Sequence, residues 1–347
     1  MEMKGMKMSQ KNKAVYVGVD DGHYAVKIVT EDGQMYTVPS RAKAGKHLIS
    51  LSTAGSSASD GGIYTTEEDQ TFTVSSHLSE PDDTRFRDYP KSMLNRVLVH
   101  HGLRVAGYSG KDVNIATGLP VSYYYNGGSA NDDLIQAKVK NLSKGVSADD
   151  GDSARIVTNF VTTEAIAAYF NEMIGMDGQP TEIAAQIERS TVGVIDVGGK
   201  TTDCAVILPG GTQVDTARSG SSDVGVLTLN DRIEAALRAK FDFDRVPPTM
   251  VESAVSSGVV KVYGKEQSVL DIVNAEKEKL AAQIMSTVRA KIGSGMDLDF
   301  ILLVGGGTIV LREQLTRHFP NCRIPEHAEY ANAMGMLKIA KYVIGQG

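Results

Sequence analysis

The sequence predicts an α/β protein built as two similar lobes with a cleft between them, and three observations carry this. Short β-branched runs alternate with amphipathic helical stretches along most of the chain. A strand–turn–strand pattern around Asp20-Asp21-Gly22 returns around Asp196-Val197-Gly198-Gly199, so each half reads as a copy of the other. The 347 residues also exceed one average domain of about 150, which leaves room for two cores.

Taken in order, residues 15–19 form a β-branched strand that enters the Asp-Asp-Gly turn. Residues 25–30 carry the returning strand, Asp32-Gly33 turns again, and residues 35–38 complete a meander. Residues 50–62, rich in Ser and Gly, and 143–153, rich in Asp and Gly, read as loops. Residues 91–101 place Met93, Leu94, Val97 and Leu98 on one helical face and stop at Gly102, while 164–173 form a second helix stopping near Gly175. Residues 114–119 are a buried strand ending at Pro120. The lobe boundary falls between Gly175 and Arg189, where Gly178, Gln179 and Pro180 interrupt the pattern.

The second meander runs through residues 191–195, 204–208 and a further short strand after Pro209-Gly210-Gly211. Val226, Leu229, Ile233 and Leu237 mark one helix; Leu280, Ile284, Val288 and Ile292 mark another. Core packing is the reading of all these stripes. Residues 300–304 are a buried strand ending at Gly305, followed by one helix through Arg312, Leu315 and Phe319.

Lysine plus arginine (36) against aspartate plus glutamate (42) gives a net charge of −6, which argues against direct nucleic-acid or anionic-membrane binding as the main activity. With 41% hydrophobic and 22% charged residues the chain is globular in composition, which excludes wholesale disorder. Cys204 and Cys322 are the only cysteines, which excludes a disulfide scaffold, a four-cysteine zinc site and a four-thiolate iron–sulfur cluster, and fits a reducing cytoplasm. No apolar run approaches the ~18 residues of a membrane helix. Residues 1–13 are polar and lysine-bearing and read as a disordered tail, because Lys4, Gly5 and Lys7 interrupt the methionines that would otherwise make an apolar stripe.

Both Asp20-Asp21-Gly22 and Asp196-Val197-Gly198-Gly199 put a carboxylate at the end of a buried strand and glycine after it. Glycine lets backbone N–H groups approach phosphate oxygens, and the acid can hold a hydrated cation that screens them. Either motif alone is equally a hairpin turn; their recurrence at matching points favours a phosphate clamp. Gly305-Gly306-Gly307 offers a close backbone surface before a helix, but neither the dinucleotide fingerprint nor the P-loop spacing is present. The pair His100-His101 reads as a helix-end interaction, Cys204 as buried and inert, and Tyr123-Tyr124-Tyr125 as packing of a loop on its own lobe.

In chain order, Asp20-Asp21-Gly22 with Lys27, Asp196-Val197-Gly198-Gly199-Lys200-Thr201-Thr202-Asp203, Gly305-Gly306-Gly307 and Tyr330-Ala331-Asn332-Ala333-Met334-Gly335 resemble four motifs of the actin-like ATPases. These are the phosphate-1, phosphate-2, adenosine and connect-2 motifs. Gly118-Leu119-Pro120-Val121 followed by Tyr124-Tyr125, and Thr163-Glu164-Ala165 before an alanine-rich helix, are similar to the ParM/StbA plasmid-segregation actins. The resemblance implies an actin-like, duplicated RNase H-like fold with a nucleotide cleft between the lobes. Lobe I would span 14–180, with a C-terminal helix 333–345 returning to it, and lobe II 188–332.

The resemblance further implies ATP, with GTP as an alternative, and magnesium held through water by Asp20 and Asp196. Asp21, Gly22, His23 and Lys27 would belong to the first phosphate hairpin, Gly198, Gly199, Lys200 and Thr201 to the second, and Gly305, Gly306 and Gly307 would border the adenosine. Glu164 would orient the attacking water, so Glu164, Asp20 and Asp196 form the expected catalytic set. His23 stands where actins commonly carry a hydroxyl residue, and Lys200 where many relatives have threonine; Lys200 is expected to point outward. The implied function is a cytoplasmic ATPase whose head-to-tail filament segregates plasmid DNA through a DNA-bound adaptor. The alternative is a small-molecule kinase of the same superfamily, and a third reading is a chaperone-type nucleotide switch.

Overall fold

In the first meander, β1 (Val15–Asp21) pairs antiparallel with β2 (Ala25–Thr30), and β2 with β3 (Met35–Pro39). The strand runs further than its apolar residues do, so Asp20 and Asp21 end β1 rather than form the turn, and Asp20 stands in register with Lys27. These features come from a computed structural model that describes residues 15–47, 61–126 and 128–345; the tail 1–13 and most of the loop 50–62 lie outside them.

Beyond β3 the chain forms strands that its pattern did not announce. β4 (Ala42–Ala44), β5 (Gly62–Thr66), β6 (Thr71–Val74) and β10 (Val146–Ala148) make a four-stranded sheet in the order β10-β5-β6-β4. Strands of three to five residues carry too little alternation to be recognised, and β10 lies inside the stretch 143–153 expected to be loop. Helix α1 (Met93–Val105) opens on Ser92, whose hydroxyl accepts from Asn95 N at 3.1 Å, and runs through Gly102, where a stop was expected. Gly102 is a contact residue: a Cβ there would lie 2.8 Å from Ile28 Cδ1 of β2. His100 and His101 are correspondingly buried within the helix, not at its end, and His101 Nδ1 lies 2.7 Å from the Tyr64 hydroxyl.

β7 (Asp112–Leu119) lies parallel to β1, and after α2 (Val121–Tyr124) the short pair β8 (Tyr125–Asn126) and β9 (Ser129–Ala130) leads into α3 (Asp132–Leu142). Only Lys138, Asn141 and Leu142 of α3 are buried, while Leu134, Ile135 and Val139 are half-buried, so two polar residues take most of its buried face. β11 (Arg155–Thr163) then completes a sheet of order β11-β7-β1-β2-β3. Helices α4 (Glu164–Met173) and α5 (Ala184–Glu188) follow.

The second half repeats that sheet. β12 (Val192–Val197) pairs antiparallel with β13 (Thr202–Ile207), which pairs with β14 (Gly220–Ser222). Helices α6 (Val226–Phe241) and α7 (Pro248–Ser257), the hairpin β15 (Val259–Val262)/β16 (Lys265–Ser268) and α8 (Leu270–Ile292) come next. β17 (Phe300–Val304) and β18 (Cys322–Arg323) close the order β18-β17-β12-β13-β14. In both sheets the strand ending in the acid is antiparallel to its successor and parallel to the strand on its other side. Leu229, Ile233, Leu237, Leu280, Ile284, Val288 and Ile292 share one core cluster, as their spacing requires.

After β17 two short helices, α9 (Gly306–Val310) and α10 (Arg312–Thr316), replace the single helix expected, because Leu311 between them leaves helical geometry (φ −111°, ψ 19°) with its side chain fully buried. α11 (Ala331–Lys338), continued by a wider-turned segment Ile339–Ile344, packs on β1 and α4. The fit is backbone to backbone: a Cβ on Gly18 would lie 1.9 Å from Ala333 O, and one on Gly335 1.7 Å from Ala167 O. No helix among the described residues is long and apolar enough to cross a membrane.

Candidate functional site

Because the two sheets share one topology, Asp20 and Asp196 come to equivalent strand ends, and the structure brings them to one cavity. The hairpin tips beyond them touch: a Cβ on Gly199 would lie 2.7 Å from Tyr24 Cβ and 2.9 Å from Tyr24 N. Helix α6 braces the second tip from behind, with Val226 N donating to Gly198 O at 3.0 Å and Leu227 N to Gly199 O at 2.9 Å. Between the tips lies a cavity of ≈ 590 Å³. Asp20, Lys27, Glu164, Asp196, Gly198 and Thr201 line it, together with Asn332.

Its electrostatics are dominated by acids. Lys27 Nζ donates to Asp20 Oδ2 at 3.1 Å; burial opposes the ammonium's charge, but Asp20 and Asp196 outweigh it and hold its pKa above the ordinary lysine value. Asp196 is buried, its Oδ2 accepting from Asn332 Nδ2 at 2.7 Å while Oδ1 has no protein partner. Burial pushes the Asp196 carboxyl up to about 7, with Asp20 and Asp203 adding to the shift against the Asn332 hydrogen bond. Glu164 opens α4, where Thr163 Oγ1 caps by accepting from Ile166 N at 3.1 Å. Burial, then Asp203, Asp20 and Asp196, raises the Glu164 carboxyl well above the usual range.

Asp203 is buried and accepts from Val121 N and Thr201 Oγ1, both at 2.9 Å, and from the Ser221 hydroxyl. It thereby ties the exit of β7 to the second hairpin. Asp21 is held by Lys138, whose Nζ donates to both carboxylate oxygens at 2.8 and 2.7 Å and to Gly118 O at 2.6 Å, while Asn95 Nδ2 donates at 2.8 Å. Lys138 was not anticipated, since nothing in α3 marks it, and the same holds for the part Asn332 plays against Asp196.

His23 donates from Nδ1 to Thr84 O at 2.7 Å and stacks 4.7 Å from Tyr89; burial lowers its pKa to about 4, so it is neutral at pH 7. Lys200 does not point outward. Its Nζ donates to the Tyr123 hydroxyl at 3.0 Å across the cavity mouth and lies 3.6 Å from Asp223, because the tyrosine offers a hydroxyl and a ring face to the ammonium. Tyr123 therefore bridges the halves of the chain rather than packing on its own. Gly305 takes φ +86° and lines the cavity; a Cβ there would strike Asp196 Oδ1 at 2.1 Å. Gly306 faces Lys27, whereas Gly307 is buried on the protein's own β12, its Cβ position 2.4 Å from Val197 Cγ1. Cys204 is buried and burial pushes its thiol up to about 12, which leaves it inert.

Such a cluster cannot take an anion unless a cation comes with it, and the unpartnered Asp196 Oδ1 is a ready oxygen donor. Among the described residues no three His, Cys, Asp or Glu side chains converge to hold a metal by themselves. One or two carboxylates completed by water and phosphate oxygens are the magnesium pattern, so the residues present fit that ion.

Residues 15–174 match the family model of the plasmid segregation protein ParM, N-terminal domain, and residues 194–317 that of the archaeal actin homologue MreB-like, C-terminal domain. A 15-stranded ParM filament from Clostridium botulinum aligns at TM-score 0.76 and 20% identity over 95% of this chain and 99% of that one. The archaeal actin homologue Ta0583 in complex with ADP aligns at 0.72 and 20% over 94% and 99%. ParM from Bacillus thuringiensis with AMPPNP aligns at 0.67 and 15% over 96% and 99%. No curated protein matches the sequence. With the duplicated sheets and the cavity between their acid-bearing strand ends, these matches give the chain the actin-like fold, its first half matching the ParM/StbA model and its second half the MreB-like one.

Proposed function

We propose that this protein is a filament-forming ATPase that polymerises with ATP and magnesium and hydrolyses ATP to limit filament lifetime. Its setting is plasmid DNA segregation in the cytoplasm through a DNA-bound adaptor, with GTP as the alternative nucleotide. The observation that carries the reading is the convergence of Asp20 and Asp196, from equivalent ends of two duplicated sheets, on one cavity. Lobe I is assigned to 14–180 with the C-terminal helix, and lobe II to 188–332.

Asp20 and Asp196 would hold magnesium through its waters, and the bound ion supplies screening of the phosphate charges. Backbone groups of Gly22, Gly198, Gly199 and Thr201 serve the phosphates, with Lys27 the nearest cation of the chain. Asp21 and His23 support the first hairpin from beneath, through Lys138 and Thr84. Gly305 and Gly306 border the nucleoside. Glu164 accepts a hydrogen bond from the attacking water, and burial beside Asp203, Asp20 and Asp196 raises its affinity for a proton. Since the tips touch, a triphosphate parts them, and nucleotide occupancy is thereby coupled to the angle between the lobes.

Light scattering after ATP addition tests the reading. Scattering and phosphate release are expected to share a critical concentration; flat scattering together with phosphate transfer to a sugar would establish a kinase instead. Glu164→Gln is expected to bind ATP with unchanged affinity and release phosphate about 100-fold more slowly, giving longer-lived polymers. Equal turnover would remove Glu164 from this role.

A further inference from the structure

The strands that carry Asp20 and Glu164 to the cavity are not all held together up to its edge. β11 pairs with β7 as far as Thr163 opposite Leu119, so Glu164, the next residue, is fixed to the end of β7. β1 pairs with β2 as far as Asp21 opposite Val26, which fixes Asp20 against Lys27. Between β1 and β7 the pairing ends earlier, at Val19 opposite Thr117. Asp20 and Asp21 on one side, and Gly118 and Leu119 on the other, therefore project past the last position these two strands share. Beyond it β1 and β2 continue as a two-stranded ribbon, the form of sheet that twists most.

Lys138 spans this gap. Its side chain reaches in from α3 and is 1% exposed. An ammonium has three N–H donors, and here each has an acceptor: Nζ lies 2.8 and 2.7 Å from the two Asp21 carboxylate oxygens and 2.6 Å from Gly118 O. No donor is left over for a phosphate, so any effect of Lys138 on chemistry passes through its partners. Gly118 in turn packs on Glu164, since a Cβ there would lie 2.7 Å from Glu164 Cγ. As a contribution to folding, a buried ion pair is often close to neutral, because desolvating two charges offsets their attraction. What three hydrogen bonds at one atom do supply is a fixed spacing where the β1–β7 ladder has ended.

We propose that Lys138 is a positioning residue for nucleotide hydrolysis, setting the distance between Asp20 at the metal and Glu164 at the attacking water. The inference rests on the roles given to Asp20 and Glu164 above and names the group that holds them in mutual register. A displacement of about 1 Å between such groups costs on the order of 100-fold in rate. Nucleotide binding depends on it less, because Lys27 supports Asp20 and α6 supports the second hairpin independently of α3.

The test uses the full chain and reads phosphate release at saturating ATP and magnesium, affinity for a fluorescent ATP analogue, and thermal melts. Lys138→Met alone strands a buried Asp21 charge, so it is combined with Asp21→Asn, which removes both charges together. This pair is expected to melt near the parent and bind nucleotide within about threefold of it, while releasing phosphate about 100-fold more slowly. Added to Glu164→Gln, the same two substitutions are expected to slow release by no more than about twofold further, since both changes act on one step. Lys138→Arg keeps a charge opposite Asp21 on a planar fork of different shape, so the fold is retained and release is expected to slow at least about tenfold. Parental turnover in either Lys138 variant, or full multiplication of the losses in the Glu164→Gln background, overturns the positioning role. Parental turnover in Glu164→Gln itself would instead remove the reading on which the inference rests.

Discussion

Asp196 shows how one buried carboxylate is set for a cation. Asn332 satisfies Oδ2, Oδ1 is left without a partner, and Gly305 is held so close that any side chain there would occupy the place beside Oδ1. The native state holds the Asp196 proton up to about 7, whereas an unfolded chain releases it near the ordinary aspartate value of ~4. Between those values the native state binds more protons, so this carboxyl's contribution to stability falls as pH rises through the window. Asp196→Asn, permanently neutral and of the same shape, is expected to be more stable than the nucleotide-free parent at pH 8 by ~1–3 kcal/mol. The difference should shrink toward pH 4, while magnesium-dependent ATP binding is lost. Thermal melts across pH, paired with a nucleotide titration, check both halves; a parent-like melt at pH 8 would contradict the raised carboxyl. Asp21, on the first hairpin, shows the opposite solution, its charge matched by the buried Lys138 ammonium and by Asn95.

At the scale of elements, close backbone contacts decide the architecture. β1 and α11 approach until Gly18 touches the Ala333 carbonyl, and α11 meets α4 where Gly335 touches the Ala167 carbonyl. A carbonyl in a packed helix cannot step aside as a flexible side chain would. Gly18→Ala is therefore expected to cost about 2–4 kcal/mol, read as a lowered denaturation midpoint. A melt indistinguishable from the parent's would show that α11 can shift without penalty. The same spacing bears on function, because α11 is the element whose Asn332 reaches Asp196. The second hairpin is likewise not free-standing: α6 fixes its carbonyls from behind while Asp203 fixes it from below through Val121 N and Thr201.

For the whole molecule, the groove beside the first hairpin is spanned by ion pairs between the halves. Arg41 pairs with Glu252, Arg85 with Asp231 at 2.5 Å, and Arg245 with Glu80 at 2.6 Å. The last two are largely solvent-exposed, so each is weak and screened by salt, and their joint effect falls on motion rather than on folding. Raising ionic strength about tenfold is expected to speed release of a fluorescent nucleotide a few-fold, with Arg41→Ala faster than the parent at low salt. A release rate indifferent to salt would mean that these pairs do not restrain the opening.

The acid–glycine turns, the long helices and the duplication were legible because each is written in neighbouring residues: a β-branched run ending in Asp, an apolar residue every fourth position, a pattern seen twice. Helix α3 and the small sheet were not, since α3 buries a lysine and an asparagine beside Leu142 and leaves its other apolar residues half-exposed, and strands of three to five residues show no period. The sequence by itself determined where the carboxylates stand along the chain and that they end equivalent strands. Tertiary structure alone decided how each charge is matched: Lys138 to Asp21, Asn332 to Asp196 and Lys200 to Tyr123 are pairings across 117, 136 and 77 positions. No local pattern encodes such partners, because burial makes an unmatched charge costly only once distant elements have closed around it.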